Sequence, residues 1–99
     1  MKTELQEQLF NMYPDIFARR HMPKGHSAMC YGIQCPDNWY EIIDTLCARI
    51  KSYADQNGLI CEANQVKMKF GRLRFYVTYS DPYIKGLIDM AEMMSLKIK

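Results

Sequence analysis

Five residues between positions 67 and 76 carry the clearest chemical potential in the chain: Lys67, Lys69, Arg72, Arg74 and Tyr76. Cations and a phenol ring this close together suit a phosphate, a small nucleotide or a single nucleic-acid strand, where rings stack on bases and cations neutralise the backbone. They equally suit an acidic protein surface, because complementary charge speeds encounter and selects partners. Plain solvation is the third reading, since charge on a strand protects it from edge-to-edge aggregation. A second group is His21, His26, Cys30 and Cys35, two imidazoles and two thiols of the kind that hold tetrahedral zinc. Their spacing lacks the close ligand pairs of zinc frameworks, and loop histidines beside small buried thiols account for it as well. No metal ligand is assigned. The same residues have the types of a thiolate–imidazole pair, but no nucleophile motif, glycine-rich phosphate loop or motif-placed carboxylate pair accompanies them. No catalytic residue is assigned, no cofactor is expected, and the expectation is a binding protein rather than an enzyme.

A third group lies near the C-terminus. Tyr83, Met90, Met93 and Met94 widen the apolar surface of a helix well beyond one face, leaving Lys85, Asp89 and Glu92 as a narrow polar strip. Methionine-rich surfaces adapt to partners. A helix apolar on most sides is otherwise deeply buried, which a small domain supplies with difficulty. A homodimer or partner interface and plain core packing both fit.

The elements that position these groups follow from periodicity and punctuation. Thr3 and Gln6 make a T-x-x-Q capping box ahead of a helix over about 3–13, which Pro14 stops or bends. Residues 18–36 read as a loop with a basic run (Arg19, Arg20, His21, Lys24, His26), and Ala28 to Ile33 as a candidate short strand. Asp37 is the expected N-cap of a helix over about 37–57. Trp39, Ile42, Ile43, Leu46, Cys47, Ile50 and Ala54 form its apolar stripe, and Asn57-Gly58 its left-handed end. A β-hairpin spans about 59–79. A two-residue type II′ turn at Gly71-Arg72 would pair Phe70 with Leu73, Met68 with Phe75 and Val66 with Val77 on one face. The other face would then carry Lys69 opposite Arg74 and Lys67 opposite Tyr76. Like charges directly across a sheet repel, which an anion or acidic partner relieves. Asp81-Pro82 starts the last helix, over about 82–96, with Ile84, Leu87, Ile88, Ala91 and Met94 as its core stripe. The fold class is α+β: a small antiparallel sheet packed against helices.

The chain's 99 residues fit a single domain, 1–99, burying roughly 65% of its unfolded surface. Thirteen Lys and Arg against eleven Asp and Glu give a net charge of +2, far from the footprint of a duplex-DNA binder. With 48% hydrophobic and 24% charged residues, disorder and collagen-like repeats are excluded. The polar start Met-Lys-Thr-Glu-Leu-Gln is not a signal peptide, and no apolar run is long enough for a membrane span. The expected location is the cytoplasm, with Cys30, Cys35, Cys47 and Cys61 as reduced, mostly buried thiols.

The segments Gly32-x-x-Cys35-x-Asp37-x-Trp39-Tyr40, Ile43-Asp44-x-Leu46-Cys47 and Gln65-Val66-Lys67-x-Lys69-Phe70-Gly71-x-Leu73-Arg74-Phe75-Tyr76 resemble a family of short phage and prophage proteins. The resemblance covers residues 32–95, and the hairpin block is its most specific part. It implies a phage-encoded accessory protein and no particular activity. Its relatives often continue into a cysteine-rich, metal-binding-like tail. This sequence ends at Lys97-Ile98-Lys99 without one, so no metal is carried over. Relatives tend to have an acidic residue between the two hairpin lysines; here it is Met68, which leaves the outer face more basic. The expected partner is a host protein, an anti-phage defence component among the candidates. The alternative is nucleic acid or a small nucleotide on the same hairpin. A homodimer through the C-terminal helix is a further expectation, and a membrane is not.

Overall fold

A computed structural model describes residues 1–98. Its central helix, α2 (Tyr40–Asn57), forms where the apolar stripe predicts it, and every residue of that stripe from Trp39 to Ala54 is buried. Gly58 closes α2 in the left-handed conformation at φ 62° and ψ 36°, and the Leu59 N–H donates to the Ala54 carbonyl at 2.9 Å. The start of the helix differs from expectation. Asp37–Trp39 is a single 3₁₀ turn, and Asp37 does not cap α2. Its carboxylate instead accepts the Lys2 N–H at 2.7 Å, tying the N-terminus down.

The hairpin consists of β2 (Ala63–Lys69) and β3 (Arg72–Val77), paired antiparallel. A third strand, β1 (Ile33–Gln34), pairs parallel to β2, so the sheet is mixed, in the order β1-β2-β3. Together with α1 (Thr3–Met12), α2 and α3 (Pro82–Ser95) it makes an α+β fold. One core joins Leu9 and Phe10 of α1, Ile43 and Ile50 of α2, Val66 and Phe75 of the hairpin, and Ile84 of α3. The segment 18–31 is more ordered than a loop. It holds two 3₁₀ turns, Ala18–His21 and Ala28–Tyr31, and buries Met29 completely, so the strand expected at 28–33 is confined to β1. Its basic run is partly consumed: Arg19 pairs with Glu62 at 3.6 Å, and Arg20 lies over the Phe10 ring, 4.9 Å from its centre.

Groups from α1 and α3 engage both edges of the sheet. On the β1 side, Gln6 Oε1 accepts the Ile33 N–H at 2.9 Å, Gln6 Nε2 donates to the Met1 carbonyl at 2.6 Å, and the chain's amino group donates to the Ile33 carbonyl at 3.3 Å. The Thr3–Gln6 capping box therefore does not form. Lys2 is the N-cap residue without a side-chain bond, and Gln6 serves the sheet instead. On the β3 side, α3 runs antiparallel to the strand. Ser95 Oγ accepts the Leu73 N–H at 2.9 Å, and Glu92 Oε2 accepts the Phe75 N–H at 3.2 Å. Two strand residues advance about 6.6 Å and three helical residues about 4.5 Å. The longer glutamate makes up the difference. Open ladder groups invite aggregation, and these contacts occupy the Ile33, Leu73 and Phe75 amides.

Gly32 shows how tight the first of these closures is. It sits at φ 75° and ψ −160°, a region open essentially to glycine, and a Cβ there would collide with Gln6 Oε1. Gly32→Ala should cost about 2–3 kcal/mol, through strain and loss of the Gln6–Ile33 bond. Gly25→Ala, with open space and no left-handed φ, should stay within about 0.5 kcal/mol. Urea unfolding of the two variants measures the contrast.

Candidate functional site

The hairpin turn lies one residue earlier than its sequence suggests. Lys69 pairs with Arg72, so the two turn residues are Phe70 and Gly71, both at positive φ (55° and 76°). That is a type I′ turn rather than the expected type II′. The ladder follows: Met68 pairs with Leu73, Lys67 with Arg74 and Val66 with Phe75, and an irregularity between Ala63 and Gln65 brings Ala63 opposite Val77. The expected pairs Phe70–Leu73, Met68–Phe75 and Val66–Val77 are thus replaced. A shift by two keeps the alternation, so the faces are as expected. The cause lies in the core, which ends at Leu73. The observed register sets buried Val66 against buried Phe75 and leaves Met68, 49% exposed, at the margin beside Leu73.

The shift places Phe70 at the tip, 91% exposed. Glycine and asparagine normally occupy this turn position, and a bulky ring at positive φ is a true outlier. Strain of this kind persists where surrounding structure imposes it, and it concentrates at binding and switch sites. Lys69 Nζ lies 5.7 Å from the ring centre. Met68, Lys69, Phe70 and Arg72 together form an apolar knob with a cationic collar. Periodicity assigned Phe70 to the strand and so missed it. The signal that could have found it is the Phe-Gly dipeptide, which places glycine at the second central position of a type I′ turn.

The basic face behind the tip is assembled as expected in composition and differs in detail. Lys67, Lys69, Arg72, Arg74 and Tyr76 share one side of the hairpin, with two like-charged cross-strand pairs instead of one. Lys69 faces Arg72 rather than Arg74, and Lys67 faces Arg74 rather than Tyr76, which pairs with Gln65. The arginines are not free. Glu92, expected in the exposed polar strip of α3, is buried, and its Oε1 lies 3.6 Å from Arg72 and 3.8 Å from Arg74. The lysines make no ion pair among the described residues. Positive charge available to a ligand is therefore concentrated at Lys67 and Lys69, beside the tip.

The apolar residues of α3 lie elsewhere. Since Glu92 and Ser95 face β3, Met90 and Met94 are turned toward α2, where with Leu87 they line a groove of about 280 Å³. Met94, expected in the core stripe, is half-exposed. Met90 and Met93 are 61% and 59% exposed, and Tyr83 stacks on Tyr53 of α2 with ring centres 4.3 Å apart. The hairpin and the methionine row are thus two surfaces on opposite flanks of α3.

No group of three or more His, Cys, Asp or Glu residues among those described is placed to hold a metal ion, so His21, His26, Cys30 and Cys35 do not converge. Cys35 is buried and Cys30 exposed. Burial pushes the Cys35 thiol up to about 12 and the Cys61 thiol to about 11, and it raises that of Cys47 as well. The folded protein therefore keeps protons that the unfolded chain releases above about pH 9. The stability these thiols contribute is complete below that pH and is lost as pH rises toward 11 and 12. Calorimetry should show the melting temperature falling steadily from pH 9 upward. In native protein at neutral pH, a thiol-titrating reagent should modify Cys30 well before the three buried thiols. No helix among the described residues is long and apolar enough to cross a membrane. Comparison with protein-family models, with curated proteins and with solved structures finds no match.

Proposed function

We propose that this chain is a non-enzymatic binding protein that docks by its hairpin tip onto an acidic protein. Phe70 enters an apolar pocket of the partner, and Lys67 and Lys69 meet carboxylates beside it. The observation that carries this reading is the strained, 91% exposed Phe70 ring, placed where the fold itself would prefer glycine or asparagine. A buried aromatic anchor within a polar rim is the usual anatomy of an interaction hot spot. The resemblance to phage proteins supports a protein of the infected cell as the partner, in the cytoplasm, with an anti-phage defence component as the finer version of the proposal.

A second reading rests on the same residues. The exposed Phe70 and Tyr76 rings beside Lys67 and Lys69 suit base stacking and backbone neutralisation on a single strand. Glu92 weighs against it, because it withdraws two of the four cations.

The experiment uses tagged wild-type and Phe70→Asn proteins as baits in host-cell lysate, with and without nuclease. A stoichiometric protein held by the wild type, resistant to nuclease and lost with Phe70→Asn supports protein docking. Recovery that vanishes with nuclease, and binding to a single-stranded oligonucleotide that weakens steeply with salt, moves the assignment to nucleic acid. Capture unchanged by Phe70→Asn overturns the tip as the site.

A further inference from the structure

The groove between α2 and α3 has Ile42, Leu46 and Ala91 in its floor and Leu87, Met90 and Met94 along its wall. Of the thirteen exposed large hydrophobics among the described residues, six lie on α3 or directly after it. The polar rim is on α2, where Glu41, Thr45 and Arg49 line the groove at four-residue spacing, one above another. Glu41 and Arg49 form no ion pair among the described residues. They stand two helical turns, about 12 Å, apart.

We propose that the occupant of this groove is a second copy of the chain, in a two-fold dimer whose α2 helices cross antiparallel near Thr45. In a two-fold contact, where one residue meets a second, the second meets the first. Glu41 then lies against the partner subunit's Arg49, and Arg49 against the partner subunit's Glu41. An acid and a base flanking an apolar strip are self-complementary under this operation. Helices of 18 and 14 residues present this face side by side over about 27 and 21 Å. Methionine side chains, unbranched and adaptable, fill the facing groove. The hairpin tips stay free on the opposite flank of α3, so the dimer presents two of them.

Sedimentation velocity across the micromolar range tests the dimer. Wild-type protein should self-associate. Glu41→Arg alone, or Arg49→Glu alone, places like charges together at both ends of the interface and should weaken association about tenfold or more. An equimolar mixture of the two single variants should recover it, because each copy then supplies the charge the other needs. Met90→Asp should be monomeric with unchanged circular dichroism. A wild type that remains monomeric, a dimer that either charge variant leaves intact, or folded variants whose mixture stays dissociated would each overturn the proposal. Phe70→Asn should leave the dimer untouched, so failure of the hairpin reading and failure of this one are distinguishable.

Discussion

Replacing Glu92 with Ala should lower stability by about 2–4 kcal/mol, the largest loss expected from a single polar side chain here. Glu92 is 8% exposed, and its carboxylate holds the Phe75 N–H with one oxygen and faces two guanidinium groups with the other. Its removal strands an edge amide under α3, which costs about 1–3 kcal/mol. The buried methylene it takes with it is worth about 1 kcal/mol more. The arginines add little, because each is about a third exposed and can turn to water. For a domain whose whole stability is about 5–15 kcal/mol, this is a large share. The melting temperature should fall by roughly 10–20 °C. Glu92→Gln keeps an acceptor for Phe75 and the methylenes, so it should lose only about 1 kcal/mol. Ser95→Ala, which strands the Leu73 N–H, should fall between the two. Chemical denaturation of the three variants orders them. A Glu92→Ala loss below about 1 kcal/mol would show that the edge amide finds water, and that α3 is not its seal.

Glu92 also links stability to function. Glu92→Gln frees the charge of Arg72 and Arg74 at small structural cost. If single-stranded nucleic acid is the ligand, its affinity and salt dependence should both rise in this variant. If the ligand is a protein anchored by Phe70, the change should appear mainly in the association rate.

These features divide by whether their cause is local. α2 was readable because its stripe and its Asn57-Gly58 end are contained in its own residues. The start of α3 was readable for the same reason: Asp81 accepts the Ile84 N–H at 2.9 Å, and Pro82 occupies the first turn. The two faces of the hairpin were readable because alternation survives a shift of two. The turn itself was not, since Phe70-Gly71 and Gly71-Arg72 are both plausible two-residue turns. The choice between them is made by where the core ends and by α3 fixing the Leu73 and Phe75 amides. Gln6 misled in the same way. Its local role as a capping partner gives way to Ile33, 27 residues distant. Helical periodicity sends glutamate outward, and only an edge strand lying beside α3 brings Glu92 in. β1, two residues long, is too short to carry any pattern.

Phe70→Asn should make the protein more stable and less able to bind. A residue other than glycine in the left-handed region carries a penalty of about 1 kcal/mol, which asparagine bears more easily. With 91% of its surface in water, the ring contributes little packing to set against that penalty. The variant creates Asn-Gly in a type I′ turn and should gain about 0.5–1 kcal/mol, or about 3–6 °C in melting temperature. Binding should move the other way. Truncating an aromatic anchor at the centre of an interface costs 2 kcal/mol or more, so affinity for the captured partner should drop by about thirtyfold or more. Tyr76→Ala, on the same face but away from the tip, should change affinity far less. The opposite signs are what carry the argument. A residue kept for folding loses stability on replacement, and a solvated bystander changes neither quantity. Only a side chain held at the expense of stability, because its ring contacts a partner, gains one and loses the other.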